Sequence, residues 1–343
     1  MSQYLFYSDL HLRPDRIDDC KIALSKIGLM ASKIQDKTKK QVTIVNGGDT
    51  FNVRGLINTH CFDILFKEYT KWKDKGLKQW IVVGNHDQED KAGKLHPMNV
   101  FQTYDGWEVI SKPRVVDDFA IFPYIYDKSE LKKALGKYKA KDAIVHWGIE
   151  GAHRNDWNVD KDGVPSTWLS HFRNVFSGHY HYRNKFKNIQ YIGSPFQQSF
   201  AEREQVKGVI YYNQKTQKQK FYEIKGTSKY HQIEIDQSFI EDGGDYSSGM
   251  PDIKERDFVK IKLSGDQEFC STVKVEDLIE CEARSIKIER EVKRKHYSRL
   301  NIDSTELLSP YALMEKYVDY VDTPLNKKKL LEIGKELLDG VHS

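Results

Sequence analysis

Cysteine is scarce in this chain: 343 residues carry four, at Cys20, Cys61, Cys270 and Cys281, and no two of them form a CxxC pair. That excludes a disulfide scaffold and a zinc-finger framework, and the thiols read as reduced and inert. Long apolar runs are missing too; none approaches the ~18 residues that a membrane span needs. The opening Met-Ser-Gln-Tyr-Leu-Phe-Tyr-Ser-Asp lacks a basic stretch before its apolar residues, so it does not read as a secretory signal. Repeats and low-complexity tracts are absent. Charge of one sign barely prevails, with 54 Lys and Arg against 50 Asp and Glu, a net of +4. So small an excess permits contact with nucleic acid but does not argue for it. The expectation is a soluble, cytoplasmic protein, in a bacterium or a phage-infected host, with no membrane partner.

Hydrophobic residues make up 39% and aromatics 12%, enough for a sizeable core, while a mean hydropathy of −0.66 indicates a solvated surface. In the first two hundred residues, short apolar runs at 4–7, 42–45, 80–83, 143–145 and 174–176 alternate with amphipathic stretches, most clearly 18–35 and 57–75. Strand alternating with helix predicts a layered α/β fold. Later runs at 120–123, 190–192, 208–212 and 220–224 have fewer helices between them and are expected to pair antiparallel, which favours two mixed sheets. From 226 the character changes. Strands at 230–235, 258–263 and 285–288 and a helix at 271–281 predict a small α+β unit. The tail carries two punctuated helices, with Ser309-Pro310 and Thr323-Pro324 as starts and Gly340 as a stop.

Five short polar signatures each follow an apolar run: Asp9-Leu10-His11, Gly48-Asp49, Gly84-Asn85-His86-Asp87, His146, and Gly178-His179-Tyr180-His181. Strand C-termini in α/β folds converge on one crevice, so these groups are expected to meet. Asp-x-His leaving a strand sends two side chains to one face, where both can hold one cation; His179 and His181 share that spacing. Asp49 is the natural bridge, since one carboxylate can serve two cations about 4 Å apart. Four imidazoles, one amide and two carboxylates around two dications leave a positive excess that suits an anionic phosphodiester. Such a site lowers the pKa of bound water and clamps the attacking and leaving oxygens. Mixed nitrogen and oxygen donors suit manganese, iron or zinc better than magnesium. His86 sits beside a ligand and can protonate the leaving oxygen or stabilise transition-state charge. Asp87 is expected to hold His86 in place from behind. Any one signature alone is commonly a turn or surface feature; five in this order are not. His60, His96, His153, His171, His231, His296 and His342 have no such setting and read as structural or exposed.

These signatures resemble the calcineurin-like metallophosphoesterase superfamily over roughly residues 3–200. The resemblance implies a four-layer α/β/β/α sandwich. It also implies a division of ligands, with Asp9, His11, Asp49 and His181 on one metal and Asp49, Asn85, His146 and His179 on the other. Within the superfamily the chain is similar to the recombination-nuclease branch, the SbcD-type subunit and its tailed-phage counterparts. The stretch from Gly48 to Arg54 resembles that branch's second motif, although Asn52 stands where aspartate is more usual. Tyr191-Ile192-Gly193-Ser194-Pro195, with Phe200, Glu202 and Lys207-Gly208, is similar to its segment after the last ligands. Protein phosphatases of the superfamily carry Gly-Asn-His-Glu and Asp-Arg-Gly, where this chain has Asp87 and Asn52-Val53-Arg54-Gly55.

The layout then implied is a nuclease domain over 1–226, a capping and DNA-binding domain over 227–291, and a linker with a helical tail over 292–343 that grips an SMC-like coiled-coil ATPase. The function implied is a DNA exonuclease and endonuclease using two divalent ions, manganese or alternatively magnesium. It would serve as nuclease subunit of an SbcCD-like recombination and repair complex, a homodimer within a heterotetramer. Arg13, Arg16, Arg54, Arg183 and Lys185 are the expected DNA-backbone contacts. The alternative is a stand-alone phosphomonoesterase or cyclic nucleotide phosphodiesterase, which needs neither second domain nor tail.

Overall fold

The computed structural model describes residues 3–91, 93–155, 157–244, 246, 250–275, 282–293 and 309–341. Strands buried on both faces build its centre. β1 (Gln3–Tyr7), β2 (Val42–Asn46), β3 (Lys78–Val82) and β4 (Trp107–Ile110) run parallel, side by side. The second sheet contains β5 (Arg114–Val116), β6 (Phe119–Ile121), β7 (Asp142–His146), β8 (Asn174–Gly178), β9 (Lys185–Phe186) and β10 (Ile189–Tyr191). The hairpin of β11 (Gly208–Asn213) and β12 (Lys218–Glu223) returns to the first sheet, where β11 lies antiparallel to β1. The orders are β12-β11-β1-β2-β3-β4 and β5-β6-β7-β8-β10-β9.

Alternate residues of β1 face opposite ways. Tyr4 and Phe6 join Val45, Trp80, Phe119, Ile144 and Phe176 in the layer between the sheets, where Phe6 stacks on Phe176 at 4.3 Å. Leu5 and Tyr7 instead pack under α1 (Ile17–Thr38) and α2 (Thr59–Asp74) with Ala23, Leu24, Ile27, Leu65 and Trp72. Gly28 lets those two helices close, since a Cβ there would sit 2.1 Å from Trp72 Nε1. α3 (Lys128–Lys137) covers the outer face of the second sheet through Leu131 and Leu135. The result is the α/β/β/α sandwich that the resemblance implied, with mixed sheets. One expectation needs correcting. β6 and β10 pair parallel with β7 and β8, and only the edge strands β5 and β9 lie antiparallel to them. The crossover from β6 to β7 is the short helix α3, and β8 reaches β10 through a loop and the two-residue edge strand β9.

The third sheet is β13 (Tyr230–Asp236), β14 (Phe258–Gly265) and β15 (Ser285–Val292), in that order. The chain divides into two compact units. One is Met1–Ile235, Asp245–Lys262 and Val275–Glu289; the other is Asp236–Gly244, Leu263–Lys274 and Arg290–Ser343. In the second unit Asp236 and Asp266 cap α4 (Gln237–Glu241) and α5 (Gln267–Thr272). Of the helix expected over 271–281, the described residues include only the end of α5, at Thr272; 276–281 lie outside them. Ser309 caps α6 (Pro310–Tyr320) as expected. α7 (Lys327–Val341) begins later than Thr323-Pro324, because Asn326 accepts from the Lys328 and Lys329 amides, and it runs through Gly340. Gly334 admits Met314 between α6 and α7, leaving Leu313, Tyr317, Leu325, Ile333 and Leu337 exposed. Cys20, Cys61 and Cys270 are buried free thiols, and Cys281 is outside the described residues. Among the described residues no helix is long and apolar enough to cross a membrane.

Candidate metal centre

Every one of the five signatures lies at the C-terminal end of a parallel strand: β1, β2 and β3 in one sheet, β7 and β8 in the other. Loop-to-loop hydrogen bonds stitch these ends together. Asp9 N–H donates to Gly48 O at 2.9 Å and His11 N–H to Asp49 O at 3.1 Å. Across the sheets, His179 N–H donates to Asp9 Oδ1 at 3.0 Å; within the first sheet, His86 N–H donates to Asp49 Oδ1 at 2.8 Å.

The backbone is strained where the donors converge. Asp9, His11, Asp49 and His179 take φ of 54°, 44°, 53° and 84°. Left-handed conformations cost side-chain-bearing residues about 1–3 kcal/mol each and persist only where the surroundings enforce them. Gly48 is required outright: its φ is 111°, and a Cβ would meet His146 Nδ1 at 2.3 Å.

Three groups of donors result, each with its atoms within 4.8 Å of one another: Asp9, His11 and His181; His11, Asp49 and His86; Asp49, His146 and His179. Asp49 belongs to two of them. Its Oδ2 lies 3.1 Å from His146 Nε2 and 3.9 Å from His11 Nε2. The Asn85 amide oxygen lies 3.1 Å from His146 Nε2 and 2.9 Å from His179 Nδ1. All seven expected ligands thus meet in one place.

Electrostatics divide the donors, favouring the deprotonated form at His11, His179 and Asp49 and the protonated form at Asp9 and His146. Burial lowers His11 and His179 to about 3, leaving neutral imidazoles with free lone pairs. Burial raises Asp9. Burial acts the same way on Asp49, but His146 and His11 outweigh it and hold the carboxylate well below the usual range. Burial opposes a charge on His146, yet Asp49 raises it to about 9. His11 Nδ1 is buried with no hydrogen-bond partner. Two carboxylates, four imidazoles, an amide and an orphaned ring nitrogen in a buried cluster fit divalent cations well.

Around the donors, the structure alters several expectations. His86 is not held by Asp87; its Nδ1 meets the Asn52 carbonyl at 2.8 Å. The contact uses main chain, so asparagine serves there as well as aspartate. Asp87 instead binds backbone, accepting from Thr50 and Phe51 N–H at 2.9 and 3.1 Å and from Gly84 N–H at 3.0 Å. That ties the second and third signatures together. Burial pushes Asp87 up to about 7.

The 191–208 stretch acquires a role that no sequence pattern assigned to it. Glu202 Oε1 accepts from His181 Nδ1 at 2.9 Å, and its Oε2 meets Lys207 Nζ at 2.7 Å and Gln198 N–H at 3.0 Å. Lys207 also donates to His181 O at 2.7 Å. A carboxylate behind a histidine fixes the ring's tautomer and orientation.

Arg16 is a correction: it is 0% exposed, paired with Asp19 at 2.7 Å and hydrogen-bonded to Tyr230 OH and Gln197 O, so it cannot reach DNA. Arg13 is mostly engaged with Asp15 and Gln198, whereas Arg54, Arg183 and Lys185 are exposed. Of the other histidines, His96 is buried, His231 pairs with Asp257, and His60, His153 and His171 are exposed; His296 and His342 lie outside the described residues.

No family model matches the chain. It is similar to Exonuclease subunit 1 of Enterobacteria phage T4, 21% identical over 340 residues that cover 96% of each chain. It is also similar to the DNA double-strand break repair protein Mre11 of Sulfurisphaera tokodaii, 22% identical over 170 residues, 44% of this chain and 43% of that one. A solved archaeal phosphodiesterase superposes on 64% of this chain and 99% of its own, with a TM-score of 0.32 at 10% identity.

Proposed function

We propose that this chain, a metallophosphoesterase of the recombination-nuclease type, is a DNA exonuclease and endonuclease acting with two divalent ions. The observation that carries the reading is the conjunction of the Asp49-centred cluster with an end-to-end match to a phage exonuclease subunit. The residues that would hold the ions are Asp9, His11, Asp49 and His181 for one, and Asp49, Asn85, His146 and His179 for the other. The donor mixture favours manganese, with magnesium second. Bound there, such ions supply Lewis acidity toward the phosphate and a nucleophile at neutral pH.

The protein's own contribution is positional. His86, its Nδ1–H donating to the Asn52 carbonyl, is held so that Nε2, when the ring is the imidazolium, can give its proton to the leaving oxygen. Asp87 holds the loops that carry Asp49 and Asn85 in register. Glu202 and Lys207 fix His181. Arg54, Arg183 and Lys185, all exposed, are the proposed contacts to backbone phosphates.

The larger assembly belongs to the same proposal. The exposed apolar face of α6 and α7 is the surface for an SMC-like coiled-coil ATPase, and two copies of each subunit form an SbcCD-like complex for recombination and repair. The residues over 227–291 cap the DNA. Incubation with linear duplex DNA and manganese tests the activity: strand degradation is expected, and His86→Ala should lower its rate ~10²–10⁴-fold. Rapid turnover of small phosphate esters with intact DNA would replace this reading by a stand-alone phosphoesterase.

A further inference from the structure

Trp157 is 93% exposed, the most exposed large apolar side chain among the described residues. Tryptophan offers the largest apolar surface of any residue, and presenting it to water calls for an explanation. Four of the other five tryptophans, Trp72, Trp80, Trp107 and Trp147, are buried. The apex that carries Trp157 is not slack. Asn155 Oδ1 accepts from Trp157 N–H at 3.0 Å and Asn158 N–H at 2.8 Å. His153 and Val159 form an antiparallel bridge, and Arg154 N–H donates to Asn158 O at 2.8 Å.

The base of this hairpin is tied to the metal centre. Asp160, 2% exposed, accepts from Arg154 at 2.8 Å and from Tyr180 OH, and Tyr180 stands between His179 and His181. Three residues separate Trp157 from Arg154 and from Asp160, a reach of at most ~10 Å. A groove of about 200 Å³ runs from His179 past Tyr124 and Tyr180 to Arg154 and Lys128. Aromatic rings, the cations Arg154 and Lys128 and the carboxylates Asp160 and Asp162 line it, and its Arg154 end is the base of the hairpin that carries Trp157.

We infer that the hairpin presents Trp157 as a stacking platform for an unpaired nucleobase of the DNA strand leaving the metal centre along this groove. The inference rests on the nuclease reading above. The neighbours decide the occupant. A protein interface needs a contiguous apolar patch, but the sequence around Trp157 is polar and charged of both signs: His153, Arg154, Asn155, Asp156, Asn158 and Lys161. A single aromatic face among polar groups is what base stacking uses. Stacking on an unpaired base draws on the ring face and requires no basic surface at the apex itself.

Tryptophan emission reports the contact directly. Single-stranded oligonucleotides with cleavage-resistant phosphorothioate links are titrated into the full chain, bearing bases or abasic at matched length and charge. Base-bearing DNA should quench the exposed emission, abasic DNA should not, and Trp157→Phe should lose the quenchable fraction while still binding. Trp157→Ala should weaken binding about 5- to 150-fold, the range for loss of one base–aromatic stack. DNA that is bound and cleaved with unchanged emission, or equal quenching by abasic DNA, overturns this inference and leaves the nuclease reading standing. Emission that shifts with protein concentration alone, together with dimers lost in Trp157→Ala, overturns it in favour of a subunit contact. Absence of both binding and cleavage overturns the nuclease reading along with it.

Discussion

Replacing Glu202 by glutamine probes the layer behind the metal centre. The residue is 7% exposed, and its carboxylate holds His181 Nδ1 at 2.9 Å and Lys207 Nζ at 2.7 Å. Glutamine keeps the shape and loses the charge, so Lys207 is left as a buried ammonium without its partner. Breaking such a pair from one side costs about 3–5 kcal/mol. A second route reaches a similar size. Burial alone would raise Glu202, but the His181 hydrogen bond and Lys207 bring it from 4.5 to about 2, worth about 3 kcal/mol. Burial pulls Lys207 below its usual value even beside Glu202, so the ammonium returns part of that gain and about 3 kcal/mol is a ceiling. Because the folded carboxylate's pKa is depressed, this stability is present above pH 4.5 and lost as pH falls toward about 2. Urea unfolding at pH 7 and across that acid window should show E202Q less stable at neutrality and flatter in acid. Manganese titration calorimetry should show affinity reduced ~10–100-fold, because His181 loses its orienting acceptor. The double variant E202Q/K207M removes the stranded charge; it should recover stability without recovering manganese affinity. Wild-type affinity in both variants would refute the argument, since His181 would then be oriented without Glu202.

Gly48→Ala forces a methyl group toward His146 Nδ1 at a φ of 111°. A loss of about 2–4 kcal/mol is expected from strain and overpacking together, read by thermal unfolding, with manganese binding falling too. Arg16→Ala should cost about 3–5 kcal/mol because Asp19 is left buried and unpaired, yet leave DNA affinity of the folded protein unchanged. Arg54→Ala should show the opposite pattern, with stability kept and the salt dependence of DNA binding reduced by about one unit of slope. Deleting residues 305–343 should abolish capture by the coiled-coil ATPase and spare hydrolysis of a small phosphodiester; ATPase binding by the truncated chain would remove the tail from the proposal.

Much of this protein was legible locally. Short continuous apolar runs placed β1, β2, β3, β7 and β8, because a strand of a layered sheet is buried on both faces. Period 3.6 placed α1 and α2 because each buries one stripe. The seven donors could be named because each sits within a few residues of its strand's end, where the chain leaves the sheet. Contacts made at long sequence separation were not legible. Arg16 looked like a surface cation until Asp19, Gln197 and Tyr230 closed over it. His86 looked as if it leaned on its neighbour Asp87, but the folded loops brought it the Asn52 carbonyl. Glu202 and Lys207 were visible as letters in a stretch, and only folding set them behind His181. The direction of β6 and β10 was likewise decided by the crossovers. The sequence by itself determined which groups stand at the strand ends, since that depends on nearest neighbours and burial period. Tertiary structure decided which of them touch, because those distances depend on how two sheets pack and which loops they bring together.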